Sequence, residues 1–239
     1  MEFQLVSHCW KYSRLLTYQL SSLILHPPLD VHVRMTVFYT PEDTRTQKCL
    51  EFFEQQKAPN VLWDWRPLER TRLMRRAIGR NLAARETESD WVWFTDCDMA
   101  FGDCTFDVLA DVVRASESHC VYPQRIWINR NHSDGDRAIE AVTSPAVSDL
   151  SYDEFVIKKY RRAIGGVQIV RGDVARTCGY CPRRRWQRPA ENWMQCKEDV
   201  TFRRIVARQF ETTWQPIDLP HVYRLRHSDN GRTNASLEL

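Results

Sequence analysis

The sequence predicts an α/β fold with a largely parallel central sheet, because strand-like and helix-like segments alternate along most of the chain. The strongest single strand is the continuous apolar run of residues 91–94, which has acidic residues on both sides, a pattern typical of a strand buried on both faces. With 239 residues, 43% of them hydrophobic, the chain is long enough to bury a sizeable core.

The individual elements follow from apolar periodicity and from residues that stop helices. In the first part of the chain the pattern predicts strands over residues 3–6, 31–39, 61–65 and 91–94. It predicts helices over residues 13–25 and 72–85 and a helix that starts at residues 41–44. The apolar faces include Leu16, Leu20 and Leu23 in the first helix and Met74, Ala77 and Ile78 in the later one.

The second part of the chain is less regular. We expect a helix over residues 106–114, a strand over 119–123, a strand over 164–171 opened by Gly165-Gly166, and a helix over 199–210. Residues 128–149 are polar and predict a long surface loop, and the tail from residue 218 predicts a short strand followed by a loop.

Charge and cysteine content narrow the class of protein. A net charge of +3 is far from the basic excess of a dedicated nucleic-acid module, so we expect no nucleic-acid partner. No apolar run approaches the roughly 20 residues that span a bilayer, and no signal peptide is recognisable. Eight scattered cysteines indicate reduced thiols and a cytoplasmic protein.

The acidic pair Asp96-Cys97-Asp98 directly follows the buried strand over residues 91–94. Ligands bind at the carboxyl ends of strands in open α/β sheets, and side chains at i and i+2 of an extended segment point the same way. Two carboxylates on one face are typical of a site for Mg²⁺ or Mn²⁺ with a diphosphate. A second pair, Asp134-Gly135-Asp136, lies in a polar segment with no strand before it and predicts a solvated turn.

Three motifs resemble those of family-2 glycosyltransferases with the GT-A fold. They are Arg80-Asn81 before the strand, the acidic pair Asp96 and Asp98 after it, and Glu198-Asp199 at a helix start. The resemblance covers about residues 3–210 and implies a three-layer GT-A-like fold in a single domain, 1–239. Residues 1–100 would form the nucleotide-binding half, and residues 101–239 the acceptor-binding half and the tail.

The resemblance implies a metal-dependent, inverting glycosyltransferase. Asp96 and Asp98 would hold the donor and a Mn²⁺ or Mg²⁺ ion, with a C-terminal histidine as third ligand, for which His227 is favoured over His221. Arg80 and Asn81 would lie beside the nucleotide. Asp199 would be the general base and Glu198 would bind an acceptor hydroxyl, although from the residues alone Glu198-Asp199 also suits a helix N-terminus.

Further candidates come from residue type. Gly165 and Gly166 indicate close approach of a ligand or a plain bulge, and the resemblance places them beside the transferred sugar. Trp186 and Trp193 lie in a polar segment and could stack on sugar rings. Arg232 lies in a Gly-containing tail that could close over the diphosphate. The basic run over residues 183–185 suits a solvated loop, an acidic acceptor or peripheral contact with a membrane.

The donor and acceptor are defined only as classes. The resemblance favours a UDP-sugar and leaves GDP- and TDP-sugars open. Such enzymes often carry a nucleobase-binding aspartate just after the second strand, where this chain reads Phe38-Tyr39-Thr40-Pro41-Glu42-Asp43. The acceptor would be a glycan, a lipid-linked sugar or a small molecule. Two alternatives remain: a sugar-phosphate nucleotidyltransferase, whose Gly-rich N-terminal loop is missing here, and a non-catalytic nucleotide-sugar-binding protein of the same fold.

Overall fold

The computed structural model describes residues 1–193 and 197–228. Its strands are β1 (Glu2–His8), β2 (His32–Tyr39), β3 (Val61–Pro67), β4 (Trp91–Phe94), β5 (Met99–Phe101), β6 (Cys120–Pro123), β7 (Arg125–Asn129), β8 (Phe155–Lys159), β9 (Gln168–Arg171), β10 (Gln215–Ile217) and β11 (Val222–Arg224). Its α-helices are α1 (Ser13–Leu25), α2 (Thr44–Glu54), α3 (Arg70–Leu73), α4 (Arg76–Glu86), α5 (Thr105–Arg114), α6 (His132–Ala141), α7 (Gly172–Cys178) and α8 (Glu198–Gln209).

A seven-stranded sheet in the order β10-β6-β9-β4-β1-β2-β3 forms the centre of the fold. Strand β1 runs parallel to both β2 and β4, and β2 runs parallel to β3. The mainly parallel α/β class predicted from the sequence is therefore confirmed, with β9 as the exception, because β9 is antiparallel to β4 and to β6. All four residues of β4 are buried, as the continuous apolar run predicts.

A smaller four-stranded sheet, in the order β5-β11-β7-β8, stands beside the central one. It contains β5, which begins directly after the acidic pair, and β11 from the C-terminal part of the described chain. The two pair antiparallel, with Arg224 opposite Met99. This pairing brings residues more than a hundred positions apart to the same place.

The prediction of a surface loop over residues 128–149 is wrong, because this stretch contains the end of β7 and all of α6. Helix α6 buries only Gly135 and Ile139, so its sequence is mostly polar and resembles that of a surface loop. Gly135 is required there, since a Cβ on it would lie 2.0 Å from the carbonyl oxygen of Arg226. The second acidic pair, Asp134 and Asp136, therefore lies in the first turns of a helix rather than in a solvated turn.

Two other boundaries differ from the prediction. The helix expected over residues 72–85 is broken into α3 and α4, because the backbone of Arg75 is not helical, with φ −109° and ψ 86°. The sequence did not reveal this break, since the apolar spacing continues across it. The strand expected from residue 164 begins at Gln168, because the Val167 N–H donates to the Ile164 carbonyl and forms a turn that contains Gly165 and Gly166.

Within the described residues, no helix is both long and apolar enough to cross a membrane. Seven cysteines in that part of the chain are free thiols, and all but Cys104 are buried.

Candidate functional site

The candidate site begins where β1 and β4 end side by side. The Thr95 N–H donates to the Val6 carbonyl, which continues the parallel pairing one step beyond β4. Asp96 and Asp98 follow at this edge. Asp98 is buried, at 8% exposure, while the side chain of Asp96 keeps 25% of its surface exposed. The sequence prediction that the pair stands at the carboxyl end of a buried strand is therefore confirmed.

Two arginines of α4 hold the carboxylate of Asp96. Nη1 of Arg76 and Nη2 of Arg80 both donate to Oδ1 of Asp96 at 2.9 Å. The two arginines are one turn apart on α4, so they reach the same atom from one helix face. Burial alone would raise the pKa of Asp96, but these arginines, with Arg224, outweigh it and lower that pKa to about 2.

Arg224 of β11 holds the second carboxylate. Its Nε donates to Oδ2 of Asp98 at 2.8 Å, and the N–H of Leu225 donates to the Asp98 carbonyl at the same distance. The antiparallel pairing of β11 with β5 positions both contacts. The charge of Asp98 outweighs burial and raises the pKa of Arg224.

Glu198 and Asp199 begin α8, so the predicted helix start is confirmed. Glu198 is 2% exposed, and its Oε1 accepts from Nη2 of Arg76 at 3.3 Å. The carbonyl of Asp199 accepts from Nε2 of Gln168 at 2.9 Å, which ties the helix start to β9. One guanidinium, that of Arg76, thus bridges the first residue of the acidic pair and the first residue of α8.

Gly165 and Gly166 lie between the two acidic motifs. A Cβ on Gly165 would lie 3.6 Å from Cβ of Asp199, and a Cβ on Gly166 would lie 3.1 Å from Oδ2 of Asp96. The Gly166 carbonyl is fixed by Nε1 of Trp93 at 3.0 Å. Gly165 and Gly166 therefore pack closely against Asp199 and Asp96, and a side chain at either position would crowd these carboxylates.

Sequence reasoning missed Arg76, Arg224 and His8. Arg76 was inside a predicted helix but had no motif, and Arg224 depends on a strand pairing that no local pattern indicates. His8 ends β1 and stacks on Phe38 with ring centroids 5.0 Å apart. Burial, followed by the charges of Arg80 and Arg76, lowers the pKa of His8 well below its usual value, so the ring is neutral at pH 7.

A helical glycine could have indicated His8. Gly79 lies in α4, where glycine costs roughly 1 kcal/mol relative to alanine. A Cβ there would lie 2.3 Å from Nε2 of His8, so this glycine admits the imidazole.

Other predicted residues lie away from the acidic pair or outside the described chain. Asn81 is directed at α7, since a Cβ on Gly179 would lie 2.6 Å from its Oδ1. The ring of His227 packs 5.4 Å from that of Tyr12. His221 is exposed, with Nδ1 3.1 Å from the Tyr223 hydroxyl. Arg232 lies outside the described residues.

The two candidate tryptophans differ in their surroundings. Trp193 is half-buried, and its ring lies 5.6 Å from the guanidinium carbon of Arg76, which places it at the site. Trp186 is half-buried against a core cluster, with the guanidinium of Arg185 5.2 Å from its ring. No described contact joins Trp186 to the acidic pair.

Six buried polar atoms around the acidic pair have no hydrogen-bond partner among the described residues: both ring nitrogens of His8, Nε of Arg76, Nε of Arg80, Oδ1 of Asp98 and Oε2 of Glu198. Other such atoms, including Oε1 of Gln4 and Nε1 of Trp65, lie elsewhere in the fold. Buried polar groups are almost always hydrogen-bonded in folded proteins, so a cluster of this kind indicates a place where a polar ligand or water completes the bonding.

The fit of a divalent cation rests on Asp98. Its Oδ1 is buried and has no described partner, so it suits a cation, whereas Oδ1 of Asp96 is occupied by two arginines. Across residues 1–193 and 197–228, no three His, Cys, Asp or Glu side chains come together in a way that could hold a metal ion, so Asp96, Asp98 and His227 do not form such a group. The metal assignment stays a prediction.

Comparison with solved structures identifies the fold. The chain is similar to the 1–349 fragment of S. aureus TarS, with 15% identity and a TM-score of 0.59, over 94% of this chain and 60% of that one. The same fragment in complex with UDP gives 13% identity and a TM-score of 0.60, over 93% and 60%. Against the longer TarS structure the identity is 11% and the TM-score 0.59, with 36% of that chain covered.

These likenesses show a GT-A-like fold, as the sequence motifs implied. The chain spans less than two thirds of the TarS chains that it matches. No family model matches the sequence, and no curated protein matches it either.

Proposed function

We propose that this chain is a glycosyltransferase that moves a sugar from a nucleotide-diphosphate donor to an acceptor hydroxyl. The observation that carries the proposal is the pair Gly165-Gly166, which faces the carboxylate of Asp96 on one side and that of Asp199 on the other. A donor-binding carboxylate and a general base brought together at one glycine turn suit transfer between two substrates. The GT-A-like fold and the UDP complex of TarS support a nucleotide-sugar donor.

The donor side is formed by the carboxyl ends of β1 and β4 and by α4. Unpartnered N–H groups of Arg76 and Arg80 suit phosphate oxygens, because guanidinium forks match phosphate geometry. The neutral ring of His8 can hydrogen-bond without adding charge. We infer that the diphosphate lies beside these groups, with UDP favoured over GDP and TDP, and that Asn81 contacts the nucleotide only if α4 shifts.

On the acceptor side, Asp199 takes the proton of the acceptor hydroxyl as that oxygen attacks the anomeric carbon of the sugar. The bond between this carbon and the diphosphate oxygen breaks, and its electron pair leaves with the diphosphate. Attack from the face opposite the leaving group inverts the anomeric centre. Glu198 orients the acceptor hydroxyl, and Trp193 offers a ring on which a sugar can stack.

Asp98 would hold a divalent cation through its Oδ1, which is buried and has no described partner. When bound, Mn²⁺ or Mg²⁺ would offset the negative charge that develops on the leaving diphosphate. Arg224 holds the other oxygen of Asp98 and fixes the direction of that carboxylate. His227 would become a third ligand only after leaving its packing against Tyr12, since it forms no ligand group with Asp96 and Asp98 in the described residues.

The test is a screen of UDP-, GDP- and TDP-sugars for Mn²⁺-dependent stabilisation of the protein, followed by donor hydrolysis and transfer. We expect one nucleotide to raise the melting temperature and its sugar to be released or transferred, with turnover lost on adding a chelator. Full turnover in a metal-free preparation would contradict metal dependence alone.

Two other outcomes point to the alternative functions. Stabilisation by a nucleotide-sugar with neither hydrolysis nor transfer to any acceptor would favour a non-catalytic binding protein. Formation of a nucleotide-sugar from a nucleoside triphosphate and a sugar phosphate would favour a nucleotidyltransferase.

A further inference from the structure

Arg76 contacts three segments that belong to different parts of the proposed reaction. Its Nη1 donates to Asp96 on the donor side, and its Nη2 donates to Glu198 on the acceptor side. The ring of Trp193 lies 5.6 Å from its guanidinium carbon. These partners, Asp96, Glu198 and Trp193, are 20, 122 and 117 positions away in sequence. Arg76 therefore connects distant segments and does not stabilise its own helix through these contacts.

The neighbouring Arg80 is held more firmly by the protein than Arg76 is. Its side chain is 0% exposed, and it donates to the Tyr180 hydroxyl, the Thr95 carbonyl and Asp96. The side chain of Arg76 is 23% exposed, and its contact with Glu198, at 3.3 Å, is longer than its contact with Asp96, at 2.9 Å. Arg80 is fixed, whereas Arg76 is accessible and more weakly held on one side.

We propose that Arg76 is a positioning residue that couples the two substrates: without donor it holds Glu198, and an incoming diphosphate competes with Glu198 for its guanidinium. This inference rests on the proposed function. Arg76 would then determine when Glu198 is free to bind the acceptor.

The competition follows from charge and from donor geometry. Nε of Arg76 is buried without a described partner, so the guanidinium can offer a fork to phosphate oxygens by turning away from Glu198. The contact given up is the longer one. A diphosphate next to Asp96 also brings negative charge towards Glu198, which weakens the hold of Arg76 on that carboxylate.

The consequence is an order of binding. Glu198 is 2% exposed, with Oε1 on Arg76 and Oε2 without a described partner. When Arg76 turns to the diphosphate, both oxygens are free to accept from an acceptor hydroxyl. Acceptor therefore binds well only after donor, and Trp193 changes its surroundings in the same step.

The test is a double-mutant cycle on nucleotide affinity, measured by titration calorimetry with the nucleoside diphosphate (UDP, GDP or TDP) that stabilises the wild type most. Glu198→Gln removes the competitor, so it should bind the diphosphate tighter, by roughly 5-fold or more, the lower range for coupled sites. In an Arg76→Met background the same change should give no gain. Glu191→Gln is the matched control, because Glu191 is an exposed glutamate that pairs with Arg70 instead.

The outcomes separate the inference from the proposed function. Tighter binding on Glu198→Gln that persists with Arg76→Met would mean simple charge repulsion and overturn the coupling. Unchanged or weaker binding by a folded Glu198→Gln variant, checked by its melting temperature, would also overturn it. If none of the three diphosphates binds the wild type, the proposed function fails first and the coupling falls with it.

Discussion

The chain contains the same three-residue acidic pattern twice, at Asp96-Cys97-Asp98 and at Asp134-Gly135-Asp136, and the two have different structural roles. The first follows buried β4 and is held by arginines from α4 and β11. The second lies in α6, where Asp134 accepts from the Asn131 N–H and Asp136 accepts from the N–H of Ser228.

The two pairs differ in how many of their carboxylate oxygens have hydrogen-bond partners among the described residues. Asp134 is bonded by residues three positions away, Asn131 and Arg137, as helix-capping carboxylates are. At the first pair, the partners come from distant segments and Oδ1 of Asp98 is left without a described partner. Position at the carboxyl edge of the sheet, rather than spacing, distinguishes the proposed ligand site from the helix terminus.

The largest expected effect concerns Asp199, which lies across the Gly165-Gly166 turn from the first pair. Asp199→Asn keeps the size of the side chain but removes its basicity, so transfer should fall by roughly 10²–10⁴-fold. Nucleotide affinity and the melting temperature should change little, because Asp199 is the second residue of α8 and not its N-cap, and loss of its charge near the helix N-terminus costs about 1 kcal/mol or less. Transfer rate and melting temperature are measured on one preparation. Near-normal transfer by the folded variant would remove Asp199 from the mechanism.

The second expected effect is on acid stability. The arginine contacts lower the pKa of Asp96 to about 2. A carboxyl whose pKa is depressed on folding contributes stability that is present above its unfolded value, about 4, and is lost as pH falls towards 2. The stability difference between wild type and Asp96→Asn should therefore shrink as pH falls from about 4 to about 2. Thermal unfolding across this range measures it.

Asp136→Asn is the matched variant for that experiment. Burial would raise the pKa of Asp136, but hydrogen bonds from Ser228 lower it, and these donors are neutral. The pH-dependent difference should be smaller than for Asp96→Asn. An equal or larger one would mean that the arginines do not set the first pair apart.

The smallest expected effect is a helix-terminus effect at the second pair. Asp134→Ala removes the acceptor for the Asn131 N–H and should cost about 1 kcal/mol of stability, the usual worth of one such hydrogen bond. Nucleotide affinity should not change. Denaturant unfolding measures the loss, and a change in nucleotide affinity would show that the second pair also serves the site.

Sequence reasoning predicted the parts of the molecule in which local pattern and burial agree. The helix over residues 13–25 and the strand over 91–94 were placed correctly because their apolar residues face the core with regular spacing. The prediction of a loop at α6 was wrong because that helix buries little and contains Gly135, whose role depends on Arg226 from far along the chain.

In the candidate site, too, residues in local motifs were predicted and residues that depend on distant contacts were missed. Asp96, Asp98, Glu198 and Asp199 were found from motifs, and the structure links Asp96 to Glu198 through Arg76. Of the arginines that hold these carboxylates, Arg80 was predicted from its motif, but Arg76 and Arg224 were missed, because no local signal distinguishes Arg76 from its neighbours and Arg224 depends on a strand pairing. The division of the chain at residue 100 into nucleotide and acceptor halves stays a prediction.

The central claim is that the first acidic pair, and not the second, binds the donor. It is tested most directly by titrating the stabilising nucleoside diphosphate, with Mn²⁺ present, into Asp98→Asn and Asp136→Asn. We expect Asp98→Asn to weaken binding by at least roughly 10-fold, the scale on which cation sites respond to loss of a supporting group, and Asp136→Asn to bind as the wild type does. Equal affinities in the two variants, both folded, would contradict it.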